Sequence, residues 1–258
     1  MDSGVPWGVV VLPSETKEST NAPTPWAGEN AMLAFIAAYV DTLGFVAMFG
    51  LFTAHVTGNF VLIGAGMWGS GNGMLVKWLA FPAFIVGILA ARCLDNRLID
   101  RSSGARIASL YGMQILLLAG FSVAGLLARP ILNGDGSWTI VCGMLGAAGM
   151  GVQNGYGKLG GRAMVPNTIM TGNVTQAVID AYDLVSFAVP AHDKAVARAR
   201  FARTWPPVLA FAIGAIAGAG AYVIASFWAM VVPLALLVFL MFVALRGAVA
   251  SRHPDLRF

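Results

Sequence analysis

The stretch TAHVTGNFVLIGAG at residues 53–66 sets Thr57-Gly58-Asn59 inside sequence that is otherwise apolar, and TIMTGNVTQAVIDA at residues 168–181 does the same with Thr171-Gly172-Asn173. A polar tripeptide of this kind is ordinary on a surface loop and costly in lipid. How the chain accommodates both copies decides its fold.

The lipid is implied by composition. The 258 residues are 58% hydrophobic and 11% charged, where a soluble domain carries about 25% charged residues, so one globular core has no room for the apolar excess. A helix needs roughly 20 apolar residues to cross a hydrocarbon layer about 30 Å thick. Spans of that length fall at residues 31–52, 74–93, 107–128, 138–157, 205–226 and 228–246. No segment has the alternation of a barrel strand. The expectation is an all-α membrane protein with six transmembrane helices plus two broken or re-entrant segments. Residues 1–29 read as a disordered cytoplasmic tail, with an apolar run at Val9–Leu12 too short for a signal peptide. The transmembrane domain is expected over residues 30–246, and a short C-terminal tail over 247–258. Cys93 and Cys142 give neither a disulfide framework nor a metal-ligand spacing, and read as packing residues.

Charge placement bears on topology. If both Thr-Gly-Asn stretches enter and leave by one face, fourteen of the 16 basic residues share a side: residue 17 and those within 92–106, 158–162, 194–203 and 246–257. Lys77 and Arg129 lie opposite. That bias is the positive-inside pattern and favours re-entrant segments with both termini cytoplasmic. The other geometry lets each stretch cross fully as an extended piece and a short helix, which evens out the charge.

The two stretches also align in their surroundings. Tyr39-Val40-Asp41 falls against Val152-Gln153-Asn154 upstream, and Pro82 to Gly87 against Pro207 to Gly214 downstream. Each half then reads helix, motif segment, helix, helix, as residues 31–128 and 138–246. Three crossings per half make the second copy inverted. The arginine-rich linker at 92–106 and its uncharged counterpart at 226–228 fit opposite faces. Within the motif, Gly58 and Gly172 permit a sharp turn, and Thr57, Asn59, Thr171 and Asn173 can cap a helix start. A helix beginning inside the membrane presents a partial positive charge to its surroundings, which favours an anionic or hydrogen-bond-accepting ligand where two such starts meet. The same tripeptide also serves as an ordinary helix start or a small-residue packing contact.

Other polar residues at membrane depth extend the candidate site. Asp41 stands in the middle of the first span, where a carboxylate costs about 2.5–3.5 kcal/mol on insertion scales and must find a partner. It reads as a proton-coupling or substrate-contacting group, or as an internal hydrogen bond that fixes packing. His55 suits a proton relay near the first motif. Gln153 and Asn154 close the fourth span among glycines, and Gln114 lies alone in the third. Gln176, Asp180 and Asp183 share one helical face, which lines a vestibule or is simply solvated. The cluster HDKAVARARFART at 192–203 reads as a positive-inside loop that can touch anionic headgroups. Nucleic-acid binding is not expected, GAGMWGSGNG at 64–73 lacks the Lys and Ser/Thr of a phosphate loop, and no catalytic or metal constellation assembles. No enzymatic activity, cofactor or metal is therefore expected.

YVDTLGFVAMFGLFTAHVTGN together with MGVQNGYGKLGGRAMVPNTIMTGN resembles the YoaK family of small bacterial membrane proteins, described as permeases, over residues 30–246. The long N-terminal tail and Gly157-Lys158 depart from it. The resemblance implies a multi-pass protein of the bacterial cytoplasmic membrane, with Asp41, Thr57, Gly58, Asn59, Gln153, Asn154, Thr171, Gly172 and Asn173 as signature positions. The function expected is a transporter of a small solute, coupled to protons through Asp41, with the lipid bilayer and the solute as partners and room for a homo-oligomer. A passive channel shares the architecture without needing a titratable group, and a non-transporting scaffold would recruit its partner through residues 192–203.

Overall fold

The computed structural model describes residues 27–69, 71–159, 168 and 170–252, and all regular structure among them is helical. Eight α-helices follow in order: α1 Ala27–Ala47, α2 Val56–Gly66, α3 Met74–Arg97, α4 Ser103–Leu127, α5 Ser137–Tyr156, α6 Met170–Val185, α7 Ala191–Ala225 and α8 Val231–Arg252. A 3-10 turn, Ser226–Met230, joins the last two. Residues 1–26 and 253–258, where tails are expected, lie outside the described residues. Four stretches are long and apolar enough to cross a bilayer: Gly28–Ala47, Met74–Arg97, Ser103–Leu127 and Ala191–Gly247, the last holding both α7 and α8. The chain is a multi-pass membrane protein.

Several boundaries differ from those expected. α1 begins at Ala27, so Glu29, assigned by sequence to the tail, is part of the bundle and buried. At the other end α1 stops at Ala47, five residues before the end of the expected span. Phe49 and Gly50 take left-handed backbone angles there, and the Gly50 N–H donates to the Phe45 carbonyl, closing the helix with a Schellman-type bond. The basic cluster read as a loop forms the first turns of α7 instead. Ala, Lys and Arg are strong helix formers, and no Gly or Pro interrupts them before Pro206. The expected C-terminal tail is likewise helical as far as Arg252. α5 has the length of a span but is not among the four apolar stretches. Its glycines, with Gln153 and Asn154, dilute its hydropathy.

Those glycines do the packing. α1 packs most extensively on α7, and α3 on α5. At Gly87 of α3 an added Cβ would overlap the Ala148 carbonyl of α5, and at Gly151 of α5 it would overlap the Phe84 carbonyl of α3. The other pair behaves alike: Gly214 and Gly218 of α7 lie against the Phe35 and Tyr39 carbonyls of α1. Backbones approach this closely only where a side chain is missing, which is how helices gain contact in lipid without a hydrophobic drive between them. α1 is the inner rod, with Leu33, Ile36, Val40 and Leu43 fully buried.

The links between helices are held by polar contacts. The uncharged 226–230 turn is no surface loop: Phe227 is fully buried, in the space a side chain on Gly125 would take. Tyr39 donates to the Ala229 carbonyl and Ser122 to that of Phe227, each at 2.9 Å. Where α3 starts, the carboxylate of Asp135 from the α4–α5 loop accepts the Val76 N–H at 3.2 Å. Lys77 is buried beside it and donates to the Asn72 and Gly73 carbonyls. At the far end of α3, buried Asp95 accepts two bonds from Arg106 of α4, at 2.9 and 2.6 Å.

Valine at Gly87 or Gly214 is expected to lower stability by about 1–3 kcal/mol, because the obstructing atoms are backbone and cannot turn aside. Gly64 and Gly220, with open space around them, should accept the same change with little effect. Thermal unfolding of the four purified variants in detergent checks this ordering.

Candidate functional site

The interrupted connection between α1 and α2 gathers the first group of candidate residues. After the turn at Phe49–Gly50 the chain runs back alongside α1 without helical bonds, leaving backbone N–H groups inside an apolar bundle. Asp41 takes them up. Its Oδ1 accepts the N–H of Thr53 at 2.7 Å and of Ala54 at 2.6 Å, with the Thr53 hydroxyl at 3.3 Å and the His55 N–H at 3.4 Å. Its Oδ2 lies 2.7 Å from His55 Nδ1. An ionised carboxylate only accepts, so against it the imidazole carries its proton on Nδ1 and, when neutral, leaves Nε2 as an acceptor. Asp41 is buried, while the His55 side chain keeps 32% of its exposure. The His55 ring meets Phe211 of α7 edge-on at 5.6 Å and lies near Phe52 at 6.2 Å.

Asn59 holds the same connection from the other side. Its Oδ1 accepts the Phe52 N–H at 2.9 Å and its Nδ2 donates to the Phe52 carbonyl at 2.8 Å. The side-chain amide thus pairs with Phe52 as a neighbouring strand would. Gly58 makes the fit possible, since a Cβ there would stand 2.9 Å from the Phe52 ring. This differs from the capping expected of the motif: α2 has His55 at its N-cap position with no side-chain cap bond, and Thr57 is exposed. The anion favoured at this helix start is already supplied by the protein, as Asp41.

The second motif follows the same division. Asn173 is buried, whereas Thr171 and Gly172 are exposed. Asn173 donates to the sulfur of Met170 at 3.4 Å. Asn154 donates to Thr168 Oγ1 at 2.6 Å, a side chain at the end of α5 reaching the segment before α6 as Asp41 reaches Thr53. α2 packs on α3 and α6 on α7, with no substantial direct contact between α2 and α6.

The remaining candidates fall into separate groups. Gln153 accepts from Gln114 at 2.7 Å and donates to the Leu33 carbonyl at 2.8 Å, joining α4, α5 and α1. Gln176 donates to Asp180, which also accepts two bonds from Arg200 of α7 at 3.0 and 2.7 Å. Asp180 is fully buried.

Sequence reasoning missed a second buried carboxylate on α1. Glu29 Oε1 accepts from Tyr111 of α4 and Tyr156 of α5, both at 2.7 Å. Glu29 and Asp41 stand about 18 Å apart along the axis of α1, with the Leu33 carbonyl between them. The available signal was an acidic residue two positions before the expected first span at residue 31. Among the described residues no three His, Cys, Asp or Glu side chains are placed to hold a metal ion.

A family model described as protein of unknown function DUF1275 matches residues 30–243. The chain belongs to the DUF1275 family. No curated protein matches it, and no solved structure does. The DUF1275 match takes in Asp41, both Thr-Gly-Asn motifs and the glycine crossings, and begins one residue after Glu29.

Asp41→Ala should be among the most damaging single changes, lowering stability by about 3–5 kcal/mol because it strands buried N–H groups. Asp41→Asn retains one acceptor oxygen and should lose markedly less. Asn59→Leu should cost about 1–3 kcal/mol through Phe52. Melting temperatures of the three proteins in one detergent decide the ranking.

Proposed function

We propose that the chain is a transporter that carries a small solute across the bacterial cytoplasmic membrane, coupled to protons through Asp41 and His55. The observation that carries this reading is a carboxylate–imidazole pair, set in an interrupted segment of the bundle, whose imidazole remains open toward Phe211 of α7. A carboxylate needed only for packing would be satisfied by the backbone N–H groups. The additional His55 contact ties the same carboxylate to an imidazole, a ring that can take up a proton at one nitrogen and pass one on from the other.

The pair offers a mechanism in terms of its own atoms. Ionised Asp41 holds Thr53, Ala54 and His55 by charge-assisted bonds, roughly twice as strong as neutral ones. A proton delivered through His55 to Oδ2 removes that charge and weakens the hold on the segment, freeing His55 and the backbone to rearrange around a solute. Loss of the proton on the other side restores the bonds.

The architecture proposed around it is six crossings, α1, α3, α4, α5, α7 and α8, in two inverted halves, with the segments leading into α2 and α6 re-entrant. Supporting this, the crossing of Gly87 with Ala148 corresponds to that of Gly214 with Phe35 under the sequence alignment of the halves. Lys77, one of the two basic residues on the sparse side, is consumed by internal carbonyls. That strengthens the positive-inside bias and favours cytoplasmic termini. In this reading Thr57, Thr171, Gly172 and His55 face the solute path, while Gly58, Asn59, Gln153, Asn154, Asn173, Gln176 and Asp180 shape the segments behind it.

The test begins with a thermal-shift screen of small organic acids, sugars and amphipathic drugs on purified protein, since a ligand of the native state raises its melting temperature. Stabilising compounds are then offered to vesicles containing the protein and an internal pH dye. A pH gradient should drive accumulation in wild type and lose at least tenfold of it in Asp41→Asn. Flux that ignores both the gradient and the substitution would identify a passive channel instead, and no flux of any stabilising compound would remove the transport reading.

A further inference from the structure

One face of α7 carries an ordered sequence of side chains that the transport reading does not use. Lys194, Arg198, Phe201, Trp205, Leu209 and Ile216 follow one another at spacings of four, three, four, four and seven residues, which keeps them on a single side of the helix. The residues buried against neighbouring helices, Ala197, Thr204, Pro207, Gly214 and Gly218, occupy the other side. Arg198 is exposed, Lys194 and Phe201 are half-buried, and Trp205, Leu209 and Ile216 are 45%, 45% and 76% exposed, so among the described residues most of this face is uncovered. Phe201 and Trp205 stack with ring planes 6° apart and centroids at 6.1 Å.

The order along the axis is cation, aromatic pair, aliphatic. An anionic phospholipid has the matching order of phosphate, glycerol backbone and acyl chain. Trp and Tyr rings settle at headgroup depth, and the run from Trp205 to Ile216 is about 17 Å, close to one leaflet of the hydrocarbon. Arg200, on the buried side, is held by Asp180 and adds nothing to this face. Among the described residues neither the Lys194 nor the Arg198 side chain makes a hydrogen bond or ion pair. We infer that this face of α7 binds one anionic phospholipid, its phosphate between Lys194 and Arg198, its glycerol backbone against the Phe201–Trp205 stack and an acyl chain along Leu209 and Ile216.

The experiment is native mass spectrometry of the full chain in detergent, titrated with phosphatidylglycerol or with phosphatidylcholine of the same acyl chains. Wild type should retain one phosphatidylglycerol in preference to phosphatidylcholine. Lys194→Ala/Arg198→Ala should weaken that retention about 30-fold, taking each basic side chain as worth about 1 kcal/mol near anionic lipid. Trp205→Leu, which keeps apolar area and removes the ring, should weaken it severalfold. Arg97→Ala/Arg101→Ala removes two exposed arginines elsewhere and should leave it unchanged. Equal retention of the two lipids, or equal loss in the Arg97/Arg101 and Lys194/Arg198 variants, would overturn the assignment. So would full retention in Lys194→Ala/Arg198→Ala.

Discussion

An apolar bundle that interrupts a helix must find acceptors for the N–H groups it sets free, and here a single carboxylate does so. Asp41 accepts from Thr53, Ala54 and His55 with one oxygen and meets the His55 ring with the other. Remove that anion and the segment before α2 has no reason to lie against α1. With it, the chain can stop a helix at Ala47, double back and start another at Val56 without leaving the bundle. Asn59 completes the arrangement by pairing with Phe52, so the connection is held at both ends by side chains rather than by a sheet or a continuous helix.

The surrounding helices are arranged by a second constraint, the close approach of backbones. Glycine at positions 87, 151, 214 and 218 lets α3 meet α5 and α7 meet α1 at carbonyl contact. This leaves little freedom for the inner helix to shift sideways, and places the adjustable chemistry in the short segments. The polar groups along α1 repeat that logic. Glu29 is bound by two tyrosines, Gln153 reaches the Leu33 carbonyl, and Asp41 serves the break.

Much of this was legible in the residues. The helical spans stand out because apolar runs of membrane length leave few alternatives, and the special role of Thr-Gly-Asn stands out because the motif occurs twice. The roles within the motif were not legible. Capping and strand-like pairing both use an asparagine amide, and only the position of Phe52 distinguishes them. Asp41 was found because it is alone in its span, whereas Glu29 was missed because it sits beside a polar tail that hides the start of α1. Asp180 shares a helical face with Gln176 and Asp183 that reads as a vestibule lining or a solvated side, yet it is buried against Arg200, 20 residues on. The 192–203 cluster misled in another way, since charge suggests a loop while its Ala, Lys and Arg content favours helix.

The contact between Asp135 and Val76 carries a consequence for how the protein is made. The donor and its acceptor are separated by 59 positions, and Lys77 shares the same corner with Asn72 and Gly73. A ribosome therefore delivers the beginning of α3 long before the group that completes it. Until the chain has grown through α4 and the loop that follows it, that corner stays unfinished, and the first half of the molecule reaches its final form only once the link to the second has emerged.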